Sequence, residues 1–169
     1  MNTSCAMIQH QGTVVNALAD IETVTPRLLV DAMLGRLAKW LRLVGYDAVY
    51  WRDGSDEALI QAARADARLI VTRDHQLAGR RGVAAILIAA ETLDAQIAEA
   101  RAALGGDPQP FTRCPECNSV LAELSRADAR DLVPPYVWHT QTQFRRCPEC
   151  SRAYWKGTHW LAMAAKVEG

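Results

Sequence analysis

Between Arg27 and Leu104 the apolar positions change their spacing several times. Leu28, Leu29 and Val30 form a short unbroken apolar run that stops at Asp31, the pattern of a strand buried on both faces. Met33, Leu34, Leu37, Trp40, Leu41 and Val44 then recur at three- and four-residue intervals, which predicts a helix, and Gly45 stands where a left-handed C-cap belongs. Arg36, Lys39 and Arg42 share the other face of that helix. Residues 46–51 read as a second strand, Asp53-Gly54 as a turn, and Ser55 as the N-cap of a helix over 56–66. Asp56 and Glu57 suit the positive end of its dipole. Leu69, Ile70 and Val71 predict a third strand that ends at Thr72-Arg73-Asp74, before a short helical turn through Leu77. A fourth strand is expected over 83–88, and a helix over 91–104 that Gly105-Gly106 terminates. Strands that alternate with helices predict an α/β domain around a parallel sheet with right-handed crossovers.

Residues 1–26 show no such period and are expected to be a mobile leader. The stretch Gly105-Gly106-Asp107-Pro108-Gln109-Pro110 has the composition of a linker. The chain is therefore divided into an α/β domain over 27–106 and a smaller module over 107–169. A length of 169 residues suits one domain with a full core and one appendage.

That smaller module contains Arg-Cys-Pro-Glu-Cys twice, at 113–117 and 146–150. Each copy offers two thiolates from one tight bend, and Cys114, Cys117, Cys147 and Cys150 together supply the four soft donors of a tetrahedral zinc site. Four thiolates leave no position open for water, so the zinc is expected to be structural. Twenty-nine residues separate Cys117 from Cys147, longer than a simple ribbon needs, which predicts an enlarged loop or hairpin between the knuckles. Tyr136, Trp138, Phe144, Tyr154, Trp155 and Trp160 crowd the module, most of them as its miniature core. His139 and His159 read as surface or packing residues, and Cys5 receives no role.

Charge changes the picture little. Net charge is zero, and residues 27–106 carry eleven Lys and Arg against ten Asp and Glu, so any attraction for an acidic partner is local. No run of apolar residues is long enough for a membrane span, and paired reduced thiols fit a cytosolic chain. Local charge does gather where strands end. In an open parallel sheet, ligands bind beyond the carboxyl ends of the strands. Asp31 closes the first strand and Asp74 follows the third, while Asp53, Asp56 and Glu57 come after the second and Glu91 after the fourth. Several carboxylates facing one crevice repel one another unless a hard divalent cation relieves them. Magnesium or manganese held in this way activates water for phosphodiester hydrolysis, which is nuclease chemistry. Each acid also has a plainer role: Asp56 and Glu57 complement a helix dipole, and Asp53 shapes a turn. Arg36, Lys39, Arg42 and Arg73 are the candidates for holding substrate phosphates.

The run Val30-Asp31-Ala32-Met33-Leu34-Gly35-Arg36-Leu37-Ala38-Lys39-Trp40-Leu41-Arg42 resembles the Mut7-C family, as do Thr72-Arg73-Asp74, the two knuckles and Tyr154-Trp155-Lys156-Gly157-Thr158-His159-Trp160. The resemblance runs from about Arg27 to the end of the chain. It implies a PIN-like three-layer α/β ribonuclease domain with a central parallel sheet, followed by a zinc ribbon that aids the binding of RNA, expected to be single-stranded. It also implies metal-dependent RNA cleavage, with Asp31 and Asp74 as metal-binding catalytic acids and Asp56 or Glu57 as the third. Two rivals stand beside it. One is a non-catalytic RNA- or protein-binding adaptor that works through the ribbon. The other is a small-molecule phosphatase or phosphotransferase with a nucleophilic Asp, against which stands the absence of a second Asp two residues after Asp31.

Overall fold

A computed structural model of the chain describes residues 25–168, so all but the last two residues of the expected leader, with Cys5, lie outside it. Four short strands, β1 (Leu28–Val30), β2 (Ala48–Tyr50), β3 (Leu69–Thr72) and β4 (Ala85–Leu87), form one parallel sheet in the order β2-β1-β3-β4. Leu29 is in register with Val49 on one side and Ile70 on the other. The fourth strand is shorter than its apolar run predicts, as is the second.

Side chains alternate across the sheet and build two cores. Leu28, Val30 and Val71 face α1 (Gly35–Val44) and α4 (Leu93–Leu104), where Leu37, Leu41, Ile97 and Leu104 meet them. Leu29 and Ile70 face α2 (Asp56–Ala65) and α3 (His75–Ala78), against Leu59, Ile60 and Leu77. Both strands β1 and β3 are thus covered on each face, which is why their sequences run apolar without alternation. A single 3-10 turn over Ala32–Leu34 separates β1 from α1. Ser55 caps α2 by accepting the Ala58 amide, as its position predicts. Gly45 ends α1 at φ 114°, and its missing Cβ also lets the linker pass, because a Cβ there would collide with the backbone of Gln109.

Beyond the linker, β5 (Ala122–Leu124), β6 (Phe144–Arg146) and β7 (Ala153–Trp155) form an antiparallel sheet. The long interval between the knuckles is not a plain loop: it carries α5 (Arg126–Ala129) and α6 (Pro135–Thr140). Ala129, Val133, Val137 and Phe144 bury a small core of their own, with Trp138 and Trp155 packed against it. Tyr136 is 70% exposed and takes no part in that core. Trp160 instead meets Phe111, with ring centroids 4.9 Å apart. The last helix, α7 (Thr158–Glu168), returns to the α1 and α4 side, where Val167 and Met163 join the main core and Lys166 pairs with Asp94 at 2.7 Å.

Candidate active site and metal centre

The strand order has a switch point between β1 and β3: from β1 the chain crosses to β2 on one flank, and from β3 it crosses to β4 on the other. Asp31 follows β1 and Asp74 follows β3, so the two acids stand on the adjoining strand ends that flank this crevice. Thr72, the last residue of β3, is fully buried between them. Its hydroxyl donates to Asp31 Oδ2 at 2.6 Å and accepts the Asp74 amide at 3.0 Å. One oxygen of Asp74, Oδ1, accepts the amides of Gln76 and Leu77 and so caps α3. Asp31 Oδ1 and Asp74 Oδ2 take no hydrogen bond among the described residues, which leaves one oxygen of each acid for a ligand.

Asp56 and Glu57 are held differently. Arg80, in the loop after α3, donates to Glu57 Oε1 at 2.8 Å and to Asp56 Oδ2 at 3.0 Å. The Arg80 hydrogen bond draws the Glu57 carboxyl below its ordinary range, and Glu57, with the charges of Asp56 and Asp74 behind it, raises the Arg80 guanidinium further. An internal cation thus takes the place expected for a metal ion beside these two acids. Asp31, Asp56 and Asp74 do not draw their oxygens together: among the described residues, the four cysteines are the group of three or more such side chains placed to share an ion.

The predicted cations divide into two sets. Arg42 is 6% exposed, and its guanidinium is committed to carbonyls of the chain itself. Its Nε donates to the Ala48 carbonyl at 2.8 Å, and its Nη1 donates to the carbonyls of Pro115 and Glu116 in the first knuckle at 2.8 and 2.9 Å. It lies in the last turn of α1, over the start of β2, where helix periodicity gives a polar face but the ribbon covers it. Burial lowers its pKa, and the nearby thiols of Cys114 and Cys117 with Glu116 act against that. Lys39 is paired with Glu116 at 2.8 Å. Arg36 and Arg73 make no ion pair with a carboxylate among the described residues, and nor does Arg52, which the sequence did not single out.

In the ribbon the four sulfurs lie within 4.8 Å of one another. Cys114 Sγ and Cys150 Sγ are 3.8 Å apart, close to the edge of about 3.8 Å that zinc–sulfur bonds of about 2.3 Å give a tetrahedron. The donor set and its spacing therefore fit zinc. The knuckle amides of Cys117 and Cys150 point at Cys114 Sγ and Cys147 Sγ, and the Tyr154 hydroxyl is 3.1 Å from Cys114 Sγ. Burial raises the Cys114 thiol, but Tyr154 and the backbone amides of Cys117 and Glu116 more than offset it and bring it down to about 7. Hydrogen bonding with Cys150, burial and the Cys114 charge push the Cys117 thiol up to about 12. Without a cation, the cluster resists holding four thiolates at once. Asn118, at φ 69°, locks the first knuckle to the sheet by accepting the Ala48 amide at 3.0 Å and donating to Asp47 at 2.7 Å.

Sequence reasoning missed Thr72 and Arg80. A threonine at the end of an apolar strand was visible, but the partner on β1 was not. Arg80 meets carboxylates 23 and 24 positions earlier in the chain, a pairing that no local period reports. No helix among the described residues is long and apolar enough to cross a membrane. The model of the Mut7-C RNAse domain family matches residues 26–167. No curated protein and no solved structure matches the chain.

Proposed function

Because the chain belongs to the Mut7-C RNAse domain family, we propose that it is a PIN-like, magnesium- or manganese-dependent ribonuclease that hydrolyses single-stranded RNA in the cytoplasm. The observation that carries this reading is the Thr72 bridge, which ties the two acids of the switch point to one buried hydroxyl and leaves each with an uncommitted oxygen. Asp31 and Asp74 are the residues we assign to the catalytic cation. Asp56 joins them, with Glu57 as its competitor, once Arg80 has been drawn away. The cation supplies a water of lowered pKa and a counter-charge for the leaving oxygen.

The chain's own residues do the rest. Thr72 keeps Asp31 aimed at the crevice by donating its hydroxyl to Oδ2. Arg36 and Arg73, which make no ion pair among the described residues, hold the phosphates that flank the scissile bond. Arg80 keeps Asp56 and Glu57 neutralised until substrate and ion arrive. The ribbon stabilises α1 through Arg42 and adds surface for the RNA strand. Purified protein incubated with a labelled single-stranded RNA tests the reading. Cleavage is expected with magnesium or manganese, to stop on chelation and to return on adding manganese. Cleavage that persists undiminished in excess chelator would sink it.

A further inference from the structure

A cleft of about 710 Å³ opens on the α1 and α4 side of the sheet, with Met33, Arg36, Tyr50, Arg52, Glu91 and Leu93 among its walls. Its wall begins two positions after Asp31, at Met33. The Tyr50 hydroxyl, at the end of β2, donates to the carbonyl of Ala32 at 2.9 Å. The Tyr50 ring lies against the first residue of α1, Gly35, where an added Cβ would come within 2.9 to 3.3 Å of the ring and its hydroxyl. Glycine at that position is what lets an aromatic ring sit against the helix start beside the acid.

Arg52 stands over the same ring, its guanidinium carbon 5.8 Å from the centroid. A planar group stacked on the ring and covered by the guanidinium needs roughly 7 Å, twice the optimal carbon–carbon separation. Arg52 is exposed and tied to no carboxylate among the described residues, so it is free to open that gap. Met33, 66% exposed, adds an apolar edge. Arg36 adds a positive charge with no ion pair among the described residues, and the Glu116 carboxylate in the wall is already met by Lys39.

We propose that this cleft is a nucleobase site for single-stranded RNA, in which one unpaired base stacks between Tyr50 and Arg52 while Arg36 takes a neighbouring phosphate. The proposal rests on the ribonuclease reading and adds to it where the strand lies relative to Asp31. Aromatic rings and guanidinium planes take bases that are splayed out of a single strand, whereas an A-form duplex keeps its bases stacked inside. A duplex therefore gains nothing from Tyr50.

The test uses the full chain carrying Asp31→Asn to prevent cleavage, with a single-stranded RNA hexamer containing 2-aminopurine as probe. Binding is expected to quench the probe. Tyr50→Leu is expected to weaken hexamer affinity roughly five- to hundred-fold, the range for losing one aromatic stack. Tyr50→Phe is expected to retain most of that affinity. Arg52→Gln, at an exposed side chain with no hydrogen bond among the described residues, is expected to weaken it without affecting the fold. The same sequence as a duplex is expected to bind equally to parent and Tyr50→Leu proteins. An unquenched probe, or hexamer affinities for Tyr50→Leu and Arg52→Gln equal to the parent's, would overturn the site. If that happened while the chain with intact Asp31 still cleaved RNA, the base site alone would fall. Absence of cleavage by that chain would instead remove the ribonuclease reading.

Discussion

The Thr72 hydroxyl lies 2.6 Å from Asp31 Oδ2 and 3.0 Å from the Asp74 amide, so one buried side chain fixes the spacing of two acids that are 43 positions apart in the chain. Thr72→Val keeps the shape of the side chain and removes the hydroxyl. Cleavage is expected to fall roughly 10- to 100-fold, the usual effect of losing an outer partner of a metal-binding group. Unfolding free energy is expected to fall by about 1 to 3 kcal/mol. Thr72→Ser should restore most of the rate, and parallel rate and urea-melt measurements check both effects.

Arg42 is bonded to carbonyls of the chain itself, whereas Arg36 and Arg73 are the arginines assigned to RNA in the proposed function. Its three carbonyl acceptors lie in β2 and the first knuckle. Arg42→Met is expected to lower stability by about 2 to 3 kcal/mol, since hydrogen bonds to a charged group are lost. The salt dependence of RNA binding should be unchanged. Arg36→Gln and Arg73→Gln are each expected to reduce the slope of log affinity against log salt by about 0.7, with little effect on melting.

How much of this was legible in the sequence depended on how local each cause is. Leu28 to Val30 announced a buried strand because both its faces are covered, and Gly45 announced a helix end because a left-handed residue is needed there. The cysteine spacing located the ribbon cluster because two knuckles carry their own geometry. The burial of Arg42 was not legible because helix periodicity reports a face but not what covers it, and the knuckle carbonyls that meet it lie 73 and 74 positions later, at Pro115 and Glu116. Arg80 was silent for the same reason: its acids are brought to it by the β3 crossover. The acids themselves were legible as strand-end residues, whereas the hydroxyl that joins two of them was not.

Zinc content gives an independent check on the ribbon. Metal analysis of the purified chain is expected to return one zinc per molecule, and Cys147→Ser to reduce it well below that. Hydrogen exchange should then rise across β5, β6 and β7 and also in the last turn of α1 and at the start of β2, which Arg42 and Asn118 respectively tie to the knuckle. Unchanged protection in the Cys147→Ser protein would contradict a metal-held ribbon.

Asp47 sets part of the acid stability. Burial raises its carboxyl, but hydrogen bonds from Arg68 and Asn118 outweigh this and bring it from 3.8 to about 2. A carboxyl depressed in the folded state contributes stability that is fully present above its unfolded pKa and is lost as pH falls through the folded value. Melting temperature should therefore decline between pH 4 and pH 2 in part through this group. Asp47→Asn is expected to be less stable at neutral pH, since the nearly buried Arg68 loses the nearer of its two carboxylate partners, and to show a flatter acid limb.

The central claim is that Asp31 and Asp74 hold the cation that cuts RNA. The most direct measurement is the initial rate of single-stranded RNA cleavage at saturating manganese for the natural sequence, Asp31→Asn, Asp74→Asn and the control Arg42→Met. Losses of at least about 100-fold are expected for both acid variants, with the control near the natural rate. Rates for both acid variants within about threefold of the natural sequence would contradict the account.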